Sequence, residues 1–202
     1  MRVAVIGGTG NVGSQVVTEL LKRGHDVTAL SRNPEHLAAR PRLRQAKGDV
    51  GDPATLAKEL VGHDVVVSSV RFVDFAPDDM LAALRTAKVR RYVSVGGAGS
   101  LRHPEGGLVY ERRNMPEPVH INSRMGGVWL ERLRESELDW TMLCPGIRFF
   151  EGEKTGKFRL GGDEAIFAED GTSSISYQDF AVALVDELEQ PRHRFTRFTV
   201  AY

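Results

Sequence analysis

Four glycines fall within the seven residues from Gly7 to Gly13, between an apolar run and a segment with helical spacing. Gly7, Gly10 and Gly13 stand at G-x-x-G-x-x-G spacing, with Gly8 beside the first. A glycine loop that leaves a strand and opens a helix can cradle a diphosphate. The first glycine permits the tight turn, the second lets the backbone approach the phosphates, and the third lets helix and strand pack closely. Backbone N–H groups of Thr9, Asn11 and Val12 would then point at phosphate oxygens, helped by the partial positive charge of a helix N-terminus. A glycine turn without a ligand accounts for the glycines alone, but not for the complete strand–loop–helix context.

The choice of dinucleotide turns on the end of the second strand. A carboxylate there, about 20 positions beyond the loop, holds the ribose hydroxyls of NAD. This chain reads Leu30-Ser31-Arg32-Asn33 and has no acid at that place. The guanidinium of Arg32 suits a 2′-phosphate, which a carboxylate would repel. NADP(H) is therefore expected in preference to NAD(H). Asp49 and Val50, after the third strand, are placed to contact adenine, and Ser68 and Ser69, after the fourth, to lie along the nicotinamide ribose. Each of these is equally an ordinary loop residue on sequence grounds. Pro145 and Gly146, at the turn after the sixth strand, complete the expected cofactor contacts.

These residues need a frame, and the apolar periodicity supplies one. Strands are expected over 2–8, 26–30, 43–49, 64–70, 91–97, 139–146 and 195–202, with helices over 11–24, 34–39, 52–62, 77–89, 121–137 and 176–191. Asp52 with Pro53 marks one helix start, and Ser176 with Asp179 reads as a capping box at another. Strands that alternate with helices and are apolar on both faces imply a doubly wound parallel sheet with right-handed crossovers. Two long connections, 96–118 and 145–163, break the rhythm. Both follow C-terminal strand ends, where open α/β sheets bind ligands, so they are expected to be lids on a single domain spanning 1–202.

The totals narrow the function classes. A chain of 202 residues with 27 basic and 27 acidic side chains, interspersed, lacks the basic face of a nucleic-acid binder. No segment has the length to span a bilayer, and the short apolar start is no signal peptide, so a cytoplasmic location is expected. The single Cys144 excludes an intramolecular disulfide and a multi-cysteine metal site, and is expected to be a small buried hydrophobe. No metal is expected, and the chain reads as a monomer or homodimer.

The stretches IGGTGNVGS, LSRNPEHL, KGDV, YVSVGGAGSL, LDWTMLCPG, EKTGKFRLGGD and ISYQDFAVALVDELEQPRHRFTRFTVAY cover nearly the whole chain. In them it resembles the atypical branch of the short-chain dehydrogenase/reductase superfamily, and within it the NADH–flavin-reductase-like, biliverdin-reductase-B-like group. The resemblance implies a Rossmann-type fold and an NAD(P)H-dependent oxidoreductase. It also has a gap. The superfamily's Tyr-x-x-x-Lys pair does not occur, since Tyr92, Tyr110 and Tyr177 are followed four residues later by Gly96, Asn114 and Ala181. Gly97 stands where the superfamily has a serine after strand five, with Ser100 three residues on. The histidine that biliverdin-reductase-B-like proteins carry after strand six is replaced by Pro145-Gly146-Ile147.

Reducing an isolated ketone requires a strong proton donor for the alkoxide, whereas a conjugated flavin or quinone delocalises the incoming charge. The expected activity is therefore hydride transfer from NADPH to a planar, small-molecule acceptor of flavin or quinone type, with FMN or FAD as substrates. Ser100, placed to hydrogen-bond a carboxamide or carbonyl, and His120, placed to donate a proton, are the candidate catalytic residues. Phe149 and Phe150 are candidates to stack on the ligand or to pack in the core. Two other readings remain open at this point: a dinucleotide-sensing regulator without turnover, and a ketoreductase or isomerase for one metabolite that uses His120 or Arg124 in place of tyrosine.

Overall fold

The computed structural model describes residues 1–36, 38–112 and 114–202. Eight strands form one sheet in the order β3-β2-β1-β4-β5-β6-β10-β8. They are β1 (Arg2–Ile6), β2 (Asp26–Ser31), β3 (Leu43–Lys47), β4 (Val65–Ser68), β5 (Arg91–Val95), β6 (Asp139–Pro145), β8 (Arg159–Gly161) and β10 (Thr196–Ala201). A separate two-stranded parallel ribbon joins β7 (Arg148–Phe150) to β9 (Ser174–Ser176). The large sheet is parallel except at its edge, where β8 runs antiparallel to β10.

The pleat sorts the side chains. Val3 and Val5 of β1 face helices α1 (Asn11–Lys22) and α6 (Tyr177–Glu189), joining Val16, Leu20, Phe180 and Leu184 in one core. Ala4 and Ile6 face the other way, toward α2 (Pro53–Leu60), α3 (Pro77–Thr86) and α5 (Glu117–Arg134), with Leu56, Leu84, Trp129 and Leu133. The period of two along each strand thus builds two apolar layers, one on each sheet face. Because β1 lies between β2 and β4, the chain reverses its direction of winding there, and the crevice at the C-terminal ends of β1 and β4 is where such sheets take ligands.

Asp52 caps α2 as expected, accepting from the Thr55 N–H at 3.1 Å with Pro53 at the first helical position. The capping box at α6 is only half formed. Ser176 Oγ accepts from the Asp179 N–H at 3.0 Å, but the Ser176 N–H donates to the Tyr202 hydroxyl instead of to Asp179. The Asp179 carboxylate turns to better donors: the N–H groups of Thr155 and Gly156, and the hydroxyls of Thr155 and Tyr202.

Other expectations need correction. The helix expected over 34–39 is a single 3-10 turn, Pro34–His36, and Leu37 lies outside the described residues. The helix expected from 121 begins at Glu117, because Pro118 fits a first turn. The connection 145–163 carries β7 and β8, and Asp179, with a Lys154–Glu19 ion pair of 2.8 Å, fastens it onto the α1 and α6 layer. The connection 96–118 holds a 3-10 turn at Ala98–Ser100 and the short helix α4 (Val109–Arg112), while Arg113 lies outside the described residues. Among the described residues no helix is long and apolar enough to cross a membrane.

Cys144 is fully buried in β6, and burial pushes its thiol up to about 12. At pH 8 the thiolate fraction is then on the order of one in ten thousand. Native protein is expected to leave a thiol reagent unreacted at that pH, with one equivalent appearing on denaturation. A fast native reaction would contradict this placement.

Candidate functional site

The chain leaves β1 at Ile6 and turns at once. Gly7 has φ +80°, and its N–H and that of Gly8 both donate to the Leu30 carbonyl, at 2.8 and 3.1 Å. A Cβ at Gly7 would stand 2.3 Å from the Ser69 carbonyl oxygen, and one at Gly13 would stand 2.1 Å from that of Gly7. Both positions are closed to any side chain by neighbouring backbone. Gly10 differs: the nearest atom to its Cβ would be the Gly7 carbonyl oxygen at 3.3 Å. The fold tolerates a side chain at Gly10 far better than at Gly7 or Gly13, and its absence keeps a cradle clear.

Gly10 is also the N-cap of α1. No side chain caps this helix, and its first turn holds no acid. The N–H groups that open α1 therefore face outward with their partial positive charge uncompensated, a ready site for an anion.

The loop forms one wall of a cleft of about 340 Å³. Of the expected cofactor contacts, Gly7, Thr9, Gly10, Arg32, Asp49, Val50 and Ser69 line it together. Gly8, in the loop, and Asn11, Val12 and Gly13, in the first turn of α1, adjoin that lining in the chain without forming part of it. Ser68 is elsewhere: it is buried, with its hydroxyl 2.5 Å from that of Tyr92, whose phenol burial pushes up to about 12. Pro145 pairs with Val200 inside the sheet, and Gly146 lies against the backbone of Ser174, so neither reaches the cleft wall.

The sequence reasoning missed Ile6, Ser31, Asn33, Gly48, Val70, Arg71 and Asp74, which also line the cleft. Most flank residues already chosen, and the available signal was the strand end itself. Arg71 precedes and Asp74 closes a 3-10 turn, Phe72–Asp74, that has no periodic signature. Their side chains pair at 3.0 and 2.7 Å, and the Asp74 carboxylate raises the Arg71 pKa. Asp49 accepts from the Gly51 N–H at 2.9 Å. Arg32, exposed, forms no ion pair among the described residues.

The two candidate catalytic residues are not brought together. Ser100 is buried, and both its hydroxyl and its carbonyl accept from Arg197, at 3.0 and 2.8 Å, while Arg197 also pairs with Asp163. That hydroxyl ties the turn after β5 to β10. His120, half-buried on the first turn of α5, sits edge-on to Tyr110 with ring centroids 5.1 Å apart. Phe149 packs in the core against Tyr177 and Phe180, and Phe150 lies under the Arg148 guanidinium. Arg124 is exposed on α5. Among the described residues no cluster of His, Cys, Asp or Glu could hold a metal.

A family model described as NAD(P)H-binding matches residues 7–191. A solved structure from Bacteroides thetaiotaomicron, named a "putative epimerase", is 34% identical, with a TM-score of 0.92 over 100% of this chain and 96% of that one. Another, from Streptococcus pneumoniae and named a "putative NADH-flavin reductase", is 31% identical, with a TM-score of 0.81 over 100% and 99% of the two chains. An NAD(P)H azoreductase of Xenophilus azovorans is 28% identical over 98% of this chain and 67% of its own length.

Proposed function

Because the chain belongs to the NAD(P)H-binding family, we propose that it is an NADPH-dependent reductase that passes hydride to a flavin- or quinone-like conjugated acceptor. The single observation that carries this reading is the cleft. It joins an uncapped helix N-terminus, a clear cradle at Gly10 and an uncommitted Arg32 at one strand edge. These features fit a dinucleotide: the N–H groups of Asn11 and Val12 would hold its diphosphate, Arg32 its 2′-phosphate, and Asp49 and Val50 its adenine end.

When bound, the dinucleotide supplies hydride. The protein's part is to hold and orient it, which is the larger share of the work when the acceptor needs no strong acid. The cleft lining contains no tyrosine, lysine, histidine or cysteine among the described residues. The Ser100 hydroxyl accepts from Arg197 and keeps its own O–H to donate, while His120, or solvent, would provide a proton. Names of relatives that act on flavins and azo compounds support a planar acceptor.

The test is to mix the protein with NADPH and, in turn, with FMN, FAD and simple quinones, and to follow loss of the reduced nicotinamide absorbance. Oxidation well above the protein-free rate is expected with at least one acceptor. Tight NADPH binding with no acceleration by any of them would overturn the reductase reading and leave a nucleotide sensor. Turnover confined to one ketone would overturn it in favour of a ketoreductase.

A further inference from the structure

The 3-10 turn Phe72–Asp74 belongs to two surfaces at once. Arg71 and Asp74, at its two ends, line the cleft. Phe72 is buried and lies so close to α5 that a Cβ on Gly126 would stand 2.8 Å from its ring. Val73 is 42% exposed, and its N–H donates to Asn122 Oδ1 on α5 at 3.4 Å. The same helix closes on the turn after β5, where a Cβ on Gly99 would meet Ser123 Oγ at 2.2 Å. The first half of α5 thus rests on both turns that leave the C-terminal ends of β4 and β5.

Val119 and Asn122, one turn apart on α5, share a face of the helix. Val119 also falls two turns before the buried Gly126, on the side by which α5 packs inward. An apolar side chain on that side is ordinarily covered, yet Val119 is 50% exposed. Val73 and Val119 therefore form an apolar ledge beside Asn122, next to a turn whose ends line the cleft. Asn122 is half-buried, and its amide oxygen is held by the Val73 N–H. That bond orients the amide and leaves its NH₂ group as a donor without a partner among the described residues.

We infer that this ledge is the acceptor platform, that it takes a quinone, and that the Asn122 amide donates to a quinone carbonyl oxygen. This inference rests on the proposed reductase reading. The two valines suit the apolar face of a planar ring, and a carbonyl at the ring's edge needs one directed donor. In the reduction, hydride adds to the quinone while the nicotinamide is oxidised, and one proton from solvent completes the hydroquinone. Negative charge gathers on oxygen between the two transfers. The Asn122 N–H stabilises that charge more strongly than it binds the neutral carbonyl, and it does so without giving up its proton.

The experiment uses the whole chain with 2-methyl-1,4-naphthoquinone as the probe. NADPH oxidation gives kcat and KM, and equilibrium dialysis with NADP⁺ present gives quinone binding without turnover. Calorimetry with NADPH and thermal melts follow the coenzyme and the fold. Asn122→Asp keeps an oxygen for the Val73 N–H but lacks the amide donor. It is expected to lower kcat/KM for the quinone at least about tenfold and to weaken quinone binding, with NADPH affinity and melting temperature unchanged. Val119→Asp puts a charge on the ledge in a first helical turn that favours acids, so it should weaken quinone binding at least about tenfold while the fold holds. Quinone binding and turnover at the wild-type level in either variant overturns the inference and leaves the reductase reading standing. So does a loss in Asn122→Asp matched by weaker NADPH binding or a lower melting temperature, which would make the residue a brace for the 3-10 turn. Flavin reduction by a wild type that binds no quinone overturns the inference alone. A wild type that binds NADPH and reduces neither quinone nor flavin fails the reductase reading first, and the inference with it.

Discussion

Gly10→Val is expected to weaken NADPH binding by at least about 100-fold while leaving the protein folded. Several charge-assisted hydrogen bonds at about 1.5–3 kcal/mol each depend on close approach of phosphate to this turn, and an isopropyl group fills that space. The strain is small beside that at Gly7 or Gly13: the nearest atom to a Cβ at this position is the Gly7 carbonyl oxygen at 3.3 Å, a tight contact that a shift of a few tenths of an ångström relieves. Loss of a favourable N-cap residue costs about 1 kcal/mol, or roughly 2–4 °C in melting temperature for a chain of this size. Gly13→Ala is the contrasting control, since its Cβ would meet backbone at 2.1 Å and must distort the start of α1. Calorimetric titration beside a melting curve separates the two. Near-normal affinity in Gly10→Val would show that the cradle is not where the diphosphate sits.

Asp179→Ala should destabilise the protein by about 3–5 kcal/mol, because it removes the shared acceptor of two N–H groups and two hydroxyls, each of which costs about 1–3 kcal/mol when left buried and unpaired. The residue is 0% exposed, and its carboxylate accepts from two N–H groups and two hydroxyls that have gathered around it. Burial pushes its pKa up, but the hydrogen bonds from Thr155, Gly156 and Tyr202 outweigh burial and hold the carboxyl below its ordinary value of 3.8. A carboxylate with a depressed folded-state pKa contributes stability that is complete above the unfolded value and is lost as pH falls through the folded one. Wild type is therefore expected to lose stability steeply below about pH 4, where the unfolded chain begins to take up protons. Asp179→Asn, which has no such proton to gain, should be weaker at neutral pH and flatter in acid. Parallel acid limbs for the two proteins would refute this assignment.

How much of this was legible in the sequence follows from the range of the forces involved. The strands β1, β2, β4, β5 and β6 are runs of buried residues bounded by glycine or polar turns, and the helices carry their apolar stripes openly, so the layers could be read directly. The glycine loop was legible because its constraints are local: Gly7 needs a positive φ, and Gly13 meets a residue only six positions away. The ribbon of β7 and β9 was not legible. Three residues show no period, and their partners lie more than twenty positions apart. The partner of Ser100 was not legible for a related reason: Arg197, which donates to its hydroxyl oxygen, arrives from the far end of the chain.

Every residue that lines the cleft lies between Ile6 and Asp74. On the proposed reading the coenzyme grip is written within the first 74 residues, and β5, β6, β10, α5 and α6 take no part in the cleft wall. On that reading, substitutions in the later portion would leave the wall that holds the coenzyme intact.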